Sequence, residues 1–328
     1  MLLGVTVTLI LGILVAPLTA GAQPGAKIPK VGILNPGTAT GGAAPLIEAF
    51  KQGMRERGYI EGQKVVFELR SGDFKRERLA EAAAELVRMK VDVILTSTDE
   101  AIAVVKQQTQ TIPIVMANSS DPVGTGFVAS LARPGGNITG NSGMSPELAG
   151  KRLELLREVI PGLTRVAMLW NPDLRGGVLD YKETESAARA LHLQLISVEA
   201  TRAGELDRAF AAMTTGRAEA LFVTGPNPVA FSNRSEIARL AQKNRLPAIY
   251  PGTDFVDAGG LMAYGSSPAE LWRRAAVYVD KILKGARPGD LPVEQPTKFE
   301  LAINLKAAKG VGLTIPPALV RRADRVVE

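Results

Sequence analysis

The chain has 328 residues, of which 46% are hydrophobic, and a disordered protein does not carry so many apolar side chains. It holds 39 Lys and Arg against 33 Asp and Glu, but the two signs are interspersed, so the net charge of +6 does not indicate a nucleic-acid surface. The absence of cysteine excludes disulfides, thiolate metal sites and a thiol nucleophile. A chain of this length is expected to form two domains or lobes.

The first 22 residues predict a cleaved secretory signal peptide (1–22). The stretch contains no charged residue and closes on Ala20, Gly21 and Ala22, the small side chains that signal peptidase accepts. No Lys or Arg precedes the apolar run, so an uncleaved anchor is the alternative, because the stretch is close to the ~20 residues that span a bilayer. With no cysteine for lipid attachment, we expect a periplasmic protein that is not a lipoprotein.

From Lys30 onward, short β-branched runs alternate with amphipathic helices. "KVGILN" (30–35) precedes a helix with Leu46, Ile47 and Phe50 on one face. The pattern continues through three further runs: "KVVFELR" (64–70), "VDVILTS" (91–97) and "IPIVMA" (112–117). Strands that alternate with helices at this spacing predict a parallel sheet covered on both faces.

The same pattern starts afresh in the second half. Its strand-like runs are "RVAMLWN" (165–171), "LQLISVE" (193–199), "EALFVTG" (219–225) and "LPAIYP" (246–251). The predicted fold class is therefore α/β, with two doubly wound parallel-sheet lobes. Further predicted strands and helices follow those of the second lobe, so the chain is expected to cross between the lobes more than once. We predict hinge crossings near 140–143, 265–267 and 295–298.

The ends of the predicted strands point to a ligand site. In open α/β sheets ligands collect at the carboxyl ends of strands, and a cleft between two such sheets would be lined from both lobes. The residues there are small, polar or turn-forming, although caps and turns put the same types at strand ends in any α/β protein. The candidate ligand-binding residues are Asn35, Gly37, Thr38, Ser97, Thr98, Asn118, Ser119, Asp121, Asn141, Ser142, Trp170, Asn171, Gly225, Asn227, Tyr250 and Asp254.

Two of these candidates keep an open alternative. Pro122 fixes the backbone after Asp121, so its carboxylate would suit a ligand amine or hydroxyl. Asp121 could equally cap the turn into a short helix suggested by Val128 and Leu131. Trp170 is interpreted either as a wall that stacks on the ligand or as a core residue.

The sequence predicts no catalytic residue, no metal site and no cofactor. His192 is the single histidine, and no serine lies in a Gly-x-Ser-x-Gly nucleophile elbow. The glycines of "GTATGG" (37–42) do not have dinucleotide-binding spacing, and no His, Asp or Glu cluster has the spacing of metal ligands.

Four stretches carry a family resemblance: "PLIEAFKQGMRERGYIEGQKVVFELR", "DPVGTGFVASLARPGGNITG", "ELAGKRLELLREVIPGLTRVAMLWNP" and "LPVEQPTKFELAINLKAAKGVGLTIPPALVRRADRVVE". They resemble the solute-binding components of ABC importers in the family that includes tryptophan- and tyrosine-binding members. The resemblance implies a type I periplasmic-binding fold with three interlobe crossings. Its lobes would comprise 27–142 plus 267–296 and 143–266 plus 297–328. The implied partners are a small polar ligand, such as an amino acid, and an ABC permease with its ATPase; we expect a monomer that binds no nucleic acid.

The chain also departs from that family pattern. Members usually carry Gly where this chain has Thr98, an apolar residue or Pro where it has Asp99, and Arg-Glu at the positions of Thr253 and Asp254. A ligand other than an aromatic amino acid therefore stays open. Two further functions stay open as well: the ligand-sensing ectodomain of an anchored receptor, and a repressor effector domain, which would need a helix-turn-helix before Lys30.

Overall fold

The computed structural model describes residues 27–38, 42–144, 146–225 and 227–328. The predicted signal peptide lies outside these residues. Across the described part of the chain, no helix has the length and apolar character needed to cross a bilayer.

The first sheet has five parallel strands in the order β2-β1-β3-β4-β5. Its strands are β1 (Lys30–Asn35), β2 (Val66–Ser71), β3 (Val93–Ser97), β4 (Ile114–Ser119) and β5 (Ile138–Ser142). The helices between them are α1 (Ala44–Arg55), α2 (Arg76–Arg88) and α3 (Asp99–Gln108). The apolar face of α1 packs on one side of the sheet, and α2 and α3 pack on the other.

The second sheet has seven strands in the order β12-β11-β10-β9-β8-β6-β7. Its strands are β6 (Arg165–Trp170), β7 (Gln194–Glu199), β8 (Ala220–Val223), β9 (Ala248–Tyr250), β10 (Met262–Gly265), β11 (Glu300–Asn304) and β12 (Arg325–Val327). The remaining helices are α4 (Ala149–Val159), α5 (Arg175–Ala190), α6 (Leu206–Thr215), α7 (Pro228–Ser232), α8 (Arg234–Lys243), α9 (Thr253–Asp257), α10 (Pro268–Leu283), α11 (Leu305–Gly310) and α12 (Pro317–Arg322). Apolar clusters cover both faces of this sheet too.

The continuous apolar runs form strands because helices bury both faces of each sheet. The side chains of Val93, Ile94 and Leu95 in β3 have no solvent exposure, although successive residues point to opposite faces. The two predicted sheets are present, with one difference. β11 runs antiparallel to β10, and β12 then pairs with β11 in parallel. Burial alone does not set strand direction, so the apolar runs could not reveal this reversal.

The chain passes between the two lobes three times. It leaves the first sheet after β5 and builds β6 to β10 of the second. It then returns in α10, whose buried face packs on α1 and the first sheet. The segment that follows runs beside β5, where the Thr139 hydroxyl donates to the Leu291 carbonyl at 2.7 Å and the Ser142 amide donates to the Glu294 carbonyl at 2.9 Å. The chain crosses again into β11.

Candidate functional site

The carboxyl ends of strands from both sheets meet at one cavity between the lobes. The space between the lobes, counted out to its open mouth, is about 990 Å³. The first lobe contributes the loop after β1, the end of β3 and Asn118. The second contributes the loops after β8 and β9, together with Arg152 from α4.

The loop after β1 is held by Asn35. Its Oδ1 accepts the Gly37 amide at 3.1 Å, and its Nδ2 donates to the Thr38 carbonyl at 2.9 Å, so one buried side chain shapes the turn. Phe74 folds over this turn, and a Cβ on Gly37 would lie 3.1 Å from the Phe74 ring. The loop therefore presents polar backbone to the cavity next to an aromatic wall.

Thr98 lines the cavity in a backbone conformation that usually requires glycine. Its φ is 69° and its ψ is 144°, a region in which a β-branched residue costs about 1–3 kcal/mol. Its hydroxyl oxygen caps α3 by accepting the Ala101 amide at 3.5 Å, and its own amide donates to the Asn118 carbonyl at 3.1 Å. The structure thus holds a strained residue at the wall of the cavity.

Arg152 brings a buried positive charge to the cavity. Its side chain is 2% exposed, and its Nε donates to the Tyr264 carbonyl at 2.7 Å. Burial lowers the pKa of Arg152 to about 10, while the nearby Asp180 carboxylate opposes that change. Asp180 accepts the Gly225 amide at 2.7 Å, so these two charges fix the strand ends that line the cavity.

The second lobe also supplies a carboxylate and an amide. Asp254 lies in the first turn of α9, where burial raises its pKa above the ordinary aspartate value and Arg234 opposes the rise. Asn227 caps α7 through its Oδ1, which accepts the Ala230 amide at 3.1 Å. The cavity wall therefore carries both signs of charge.

Aromatic rings form further parts of the cavity wall. Phe231 and Phe255 come from the second lobe, and Trp272 from α10 on the first. Phe255 stacks on the fully buried Tyr250 with ring centroids 4.9 Å apart, which fixes its orientation. A ligand here would meet apolar surface from both lobes.

Nine of the sixteen candidate residues line this cavity: Asn35, Gly37, Thr38, Ser97, Thr98, Asn118, Gly225, Asn227 and Asp254. The other seven are not among its described lining residues: Ser119, Asp121, Asn141, Ser142, Trp170, Asn171 and Tyr250.

The seven have structural contacts instead. The Ser119 hydroxyl donates to Asp99 at 2.6 Å, and Asn141 donates to the Leu271 carbonyl at 2.9 Å. Trp170 stacks on Tyr181 at 4.5 Å, as the core interpretation expects, and its Nε1 donates to the Ser197 hydroxyl at 2.8 Å. The Asn171 side chain accepts the Asp173 amide at 3.0 Å, and Ser142 is buried in β5.

Asp121 has the contact of a turn cap. Its Oδ1 accepts the Gly124 amide at 2.8 Å. The short helix expected around Val128 and Leu131 is absent from this described stretch, which forms turns. Three or more His, Cys, Asp or Glu side chains placed to hold a metal are likewise not found in the described part of the chain.

We expect Asp121→Ala to lower the free energy of unfolding by about 1 kcal/mol, the usual net contribution of one hydrogen bond. Ligand affinity should stay unchanged because Asp121 lies outside the cavity lining. Urea denaturation and calorimetry measure the two effects. Asp121→Asn is the matched control, since its amide oxygen still accepts the Gly124 amide. A large loss of affinity in both variants would instead make Asp121 a ligand contact.

Sequence reasoning missed Arg152 and the aromatic walls. Arg152 follows Ala149 by three residues and precedes Leu153, so it falls on the buried stripe of α4. A charged residue among the apolar positions of a predicted helix stands out in the sequence, because burying an unpaired charge is costly. Phe74 and Phe231 lie in segments without a strand pattern, and no comparable signal marked them.

The comparisons with known proteins agree with this architecture. A model of the family described as ABC transporter substrate binding protein matches residues 42–327. A tyrosine-binding protein of Clostridioides difficile (strain R20291) is 23% identical over 266 residues, 81% of this chain and 76% of that protein.

Two solved structures share the fold. An ABC domain in complex with L-Trp from Streptococcus pneumonia has a TM-score of 0.84 at 23% identity, covering 91% of this chain and 99% of its own. A ligand-free, open substrate-binding protein with adhesive properties from Clostridium difficile has a TM-score of 0.65 at 20% identity, covering 92% of this chain and 99% of its own.

These findings confirm the family resemblance and the two-lobed α/β fold. They also confirm the prediction of a binding protein rather than an enzyme, because the family is one of substrate-binding proteins. The family model spans nearly the whole described chain and both lobes that form the cavity. The chain belongs to the family of ABC transporter substrate-binding proteins.

Proposed function

We propose that this chain is the extracytoplasmic solute-binding component of an ABC importer. It captures a small ligand in the interlobe cavity and delivers the ligand to a membrane permease with its ATPase. The observation that carries the proposal is the cavity itself, which is lined from the strand ends of two separate sheets. The apolar, uncharged leader at 1–22 supports export to the periplasm.

The ligand is an amino acid or a close relative of one. An amino acid carries a carboxylate and an ammonium group, and the cavity offers the guanidinium of Arg152 and the carboxylate of Asp254. Phe74, Phe231 and Trp272 provide apolar walls for a side chain. One relative is named tyrosine-binding and another was solved with L-Trp, which supports this class. Thr98 and Asp254, two of the departures from the family pattern, lie on the wall where they would adjust the choice among amino acids.

The protein works by hinge bending between lobes made of 27–142 plus 267–296 and 143–266 plus 297–328. The three observed chain passes support these boundaries. Rigid lobes joined by a few crossing segments open and close about a ligand. A relative described as ligand-free and open supports the same motion.

We expect one amino acid in a thermal-shift screen to raise the melting temperature, because ligand bound only by the native state stabilises it by about 2.7 kcal/mol at a hundredfold excess over Kd. Small-angle X-ray scattering with that ligand should show a smaller radius of gyration and circular dichroism an unchanged helix content. The screen should include purines and small organic acids as controls. The proposal fails if no amino acid stabilises the protein, or if the stabilising ligand leaves the radius of gyration unchanged.

A further inference from the structure

The lobes also touch outside the cavity, where the first turn of α3 meets the first turn of α5. The Arg175 backbone amide donates to Glu100 Oε1 at 2.6 Å. The Arg175 side chain donates to the Gly124 carbonyl at 3.3 Å. Because α3 belongs to the first lobe and α5 to the second, this α3–α5 contact exists only while the lobes are close together. None of Asp99, Glu100, Arg175 and Gly176 is among the described residues that line the cavity.

Glu100 supplies a helix cap that α5 lacks. The first amides of a helix have no partner within the helix, and the residue before α5 is Leu174, whose side chain accepts no hydrogen bond. The Glu100 side chain is a suitable partner, because its carboxyl oxygen can accept the Arg175 amide whether or not the group is ionised. Separation of the lobes would remove the Glu100 cap and leave the Arg175 amide to water.

Gly176 lets the two helices approach. A Cβ at this position would lie 2.6 Å from the Ser120 hydroxyl oxygen and 3.0 Å from Asp99 Oδ2. Asp99 is itself fixed, since its Oδ1 accepts the Ser119 hydroxyl at 2.6 Å and the Ser120 amide at 3.1 Å. A larger residue at 176 therefore has no room while the lobes are in contact.

We propose that Glu100, Asp99 and Gly176 are positioning residues that set ligand affinity from outside the cavity, by holding the two lobes together over the bound ligand. The inference rests on the proposed function only in requiring that a ligand bind between the lobes. Apparent affinity depends on the fraction of molecules in the binding-competent state, so a contact made only in the closed form strengthens binding without touching the ligand.

The charges around the contact give it a pH dependence. Burial is the main cause that raises the pKa of Glu100 to about 7, and the charge of Asp99 adds to the rise. The hydrogen bond from the Arg175 amide and the charge of Arg76 both lower this pKa. Burial also raises the pKa of Asp99, and the charge of Asp121 adds to that rise. Opening returns Glu100 to water and to its ordinary, lower pKa. The closed form therefore holds the proton more tightly, so closure is favoured below about pH 7 and weakened as the pH rises through that value.

Gly176→Ala tests the contact. With L-tryptophan and L-tyrosine as probes, we expect the dissociation constant of the better-bound probe to rise about tenfold, mainly through faster dissociation. The melting temperature of the ligand-free protein should hardly change, because the open form has room for the methyl group. Gly176→Ala combined with Ser120→Ala should recover most of the affinity, since the nearest clashing atom is removed. Ser120→Ala alone is the matched control and should bind like the unmodified protein.

Glu100→Gln tests the charge. Its amide oxygen still accepts the Arg175 amide but does not ionise, so affinity should be the same at about pH 5.5 and about pH 8.5, whereas the unmodified chain should bind more weakly at the higher value. Glu100→Ala should weaken binding at both.

A distance measurement separates this inference from the proposed function. The chain has no cysteine, so spin labels attach only at introduced ones, for example at the exposed Gln107 and Ser186. The population of short distances should fall in Gly176→Ala and return in the double variant, whichever ligand is used. Equal distance distributions and equal affinities in the unmodified chain and Gly176→Ala would overturn the inference. If neither probe binds the unmodified chain, aromatic amino acids are excluded as ligands, and the distance distributions still decide whether the contact controls closure.

Discussion

Replacement of Arg152 by methionine should lower the free energy of unfolding by about 3–5 kcal/mol, the usual cost when one partner of a buried charge pair is removed. Arg152 is 2% exposed and Asp180 is 1% exposed, so loss of the guanidinium leaves the buried Asp180 carboxylate without the opposing charge of Arg152. Methionine keeps most of the aliphatic volume, which limits the contribution of a cavity. Urea denaturation measures the change.

Asp180→Asn provides the control for this prediction. An asparagine still accepts the Gly225 amide but carries no charge. The double variant Arg152→Met with Asp180→Asn should therefore lose less stability than the two single variants added together. Strict additivity would contradict the prediction, because it would mean that the two charges do not interact.

Arg152→Lys separates the charge from the hydrogen bond. Lysine keeps a positive charge near Asp180 but lacks the planar guanidinium whose Nε donates to the Tyr264 carbonyl. The stability loss should be smaller than with methionine. Ligand binding should weaken nonetheless, because Arg152 lines the cavity and lysine cannot offer a guanidinium to the ligand carboxylate.

The strands could be predicted from the sequence because a strand buried on both faces of its sheet appears as a continuous apolar run. β3 and β4 are examples, since each is almost wholly buried. The return of α10 to the first lobe was also predictable, because an extra amphipathic helix follows the strands of the second lobe. The antiparallel direction of β11 was not, since its apolar pattern is the same in either direction.

The site could be predicted only in part from the sequence. Loops at strand ends contain the same small, polar residues whether those residues cap helices or face a ligand. Asn35 does both, since it shapes its turn and lines the cavity. Asp121 and Asn171 have the same character but only close local turns. Which strand ends reach the cavity depends on how the two lobes are docked, and that is set by contacts distant in sequence, such as Glu100 with Arg175.

The two tryptophans show the same limit. Trp170 ends β6 next to the polar Asn171, which made it a candidate ligand wall, yet it packs in the second-lobe core against Tyr181. Trp272 lies on the buried stripe of α10, which predicts only packing. Because α10 returns to the first lobe beside the cleft, Trp272 reaches both the core and the cavity.

We expect Trp272→Ala to lower the free energy of unfolding by about 3–5 kcal/mol, as for other large aromatic residues truncated in a core. Trp272 is 2% exposed and packs in the apolar cluster between α1, α10 and the first sheet. The substitution would also widen the cavity on the first-lobe side, so ligand affinity should fall together with stability. Trp272→Phe keeps an aromatic ring and should lose less of both. Urea denaturation and calorimetry give the two values.

Fluorescence of variants with a single tryptophan distinguishes the roles of the two rings. Trp170→Phe leaves Trp272 as the emitter, and closure of the cavity over a ligand should change its emission, because the ring lies at the cavity wall. Trp272→Phe leaves Trp170, whose indole Nε1 is bonded to Ser197 at 2.8 Å within the second lobe, so its surroundings do not change when the lobes move. L-Tyrosine with excitation selective for tryptophan provides a suitable titration. A ligand response carried by Trp170 and missing from Trp272 would place the binding site away from the cavity and would contradict the assignment of its walls.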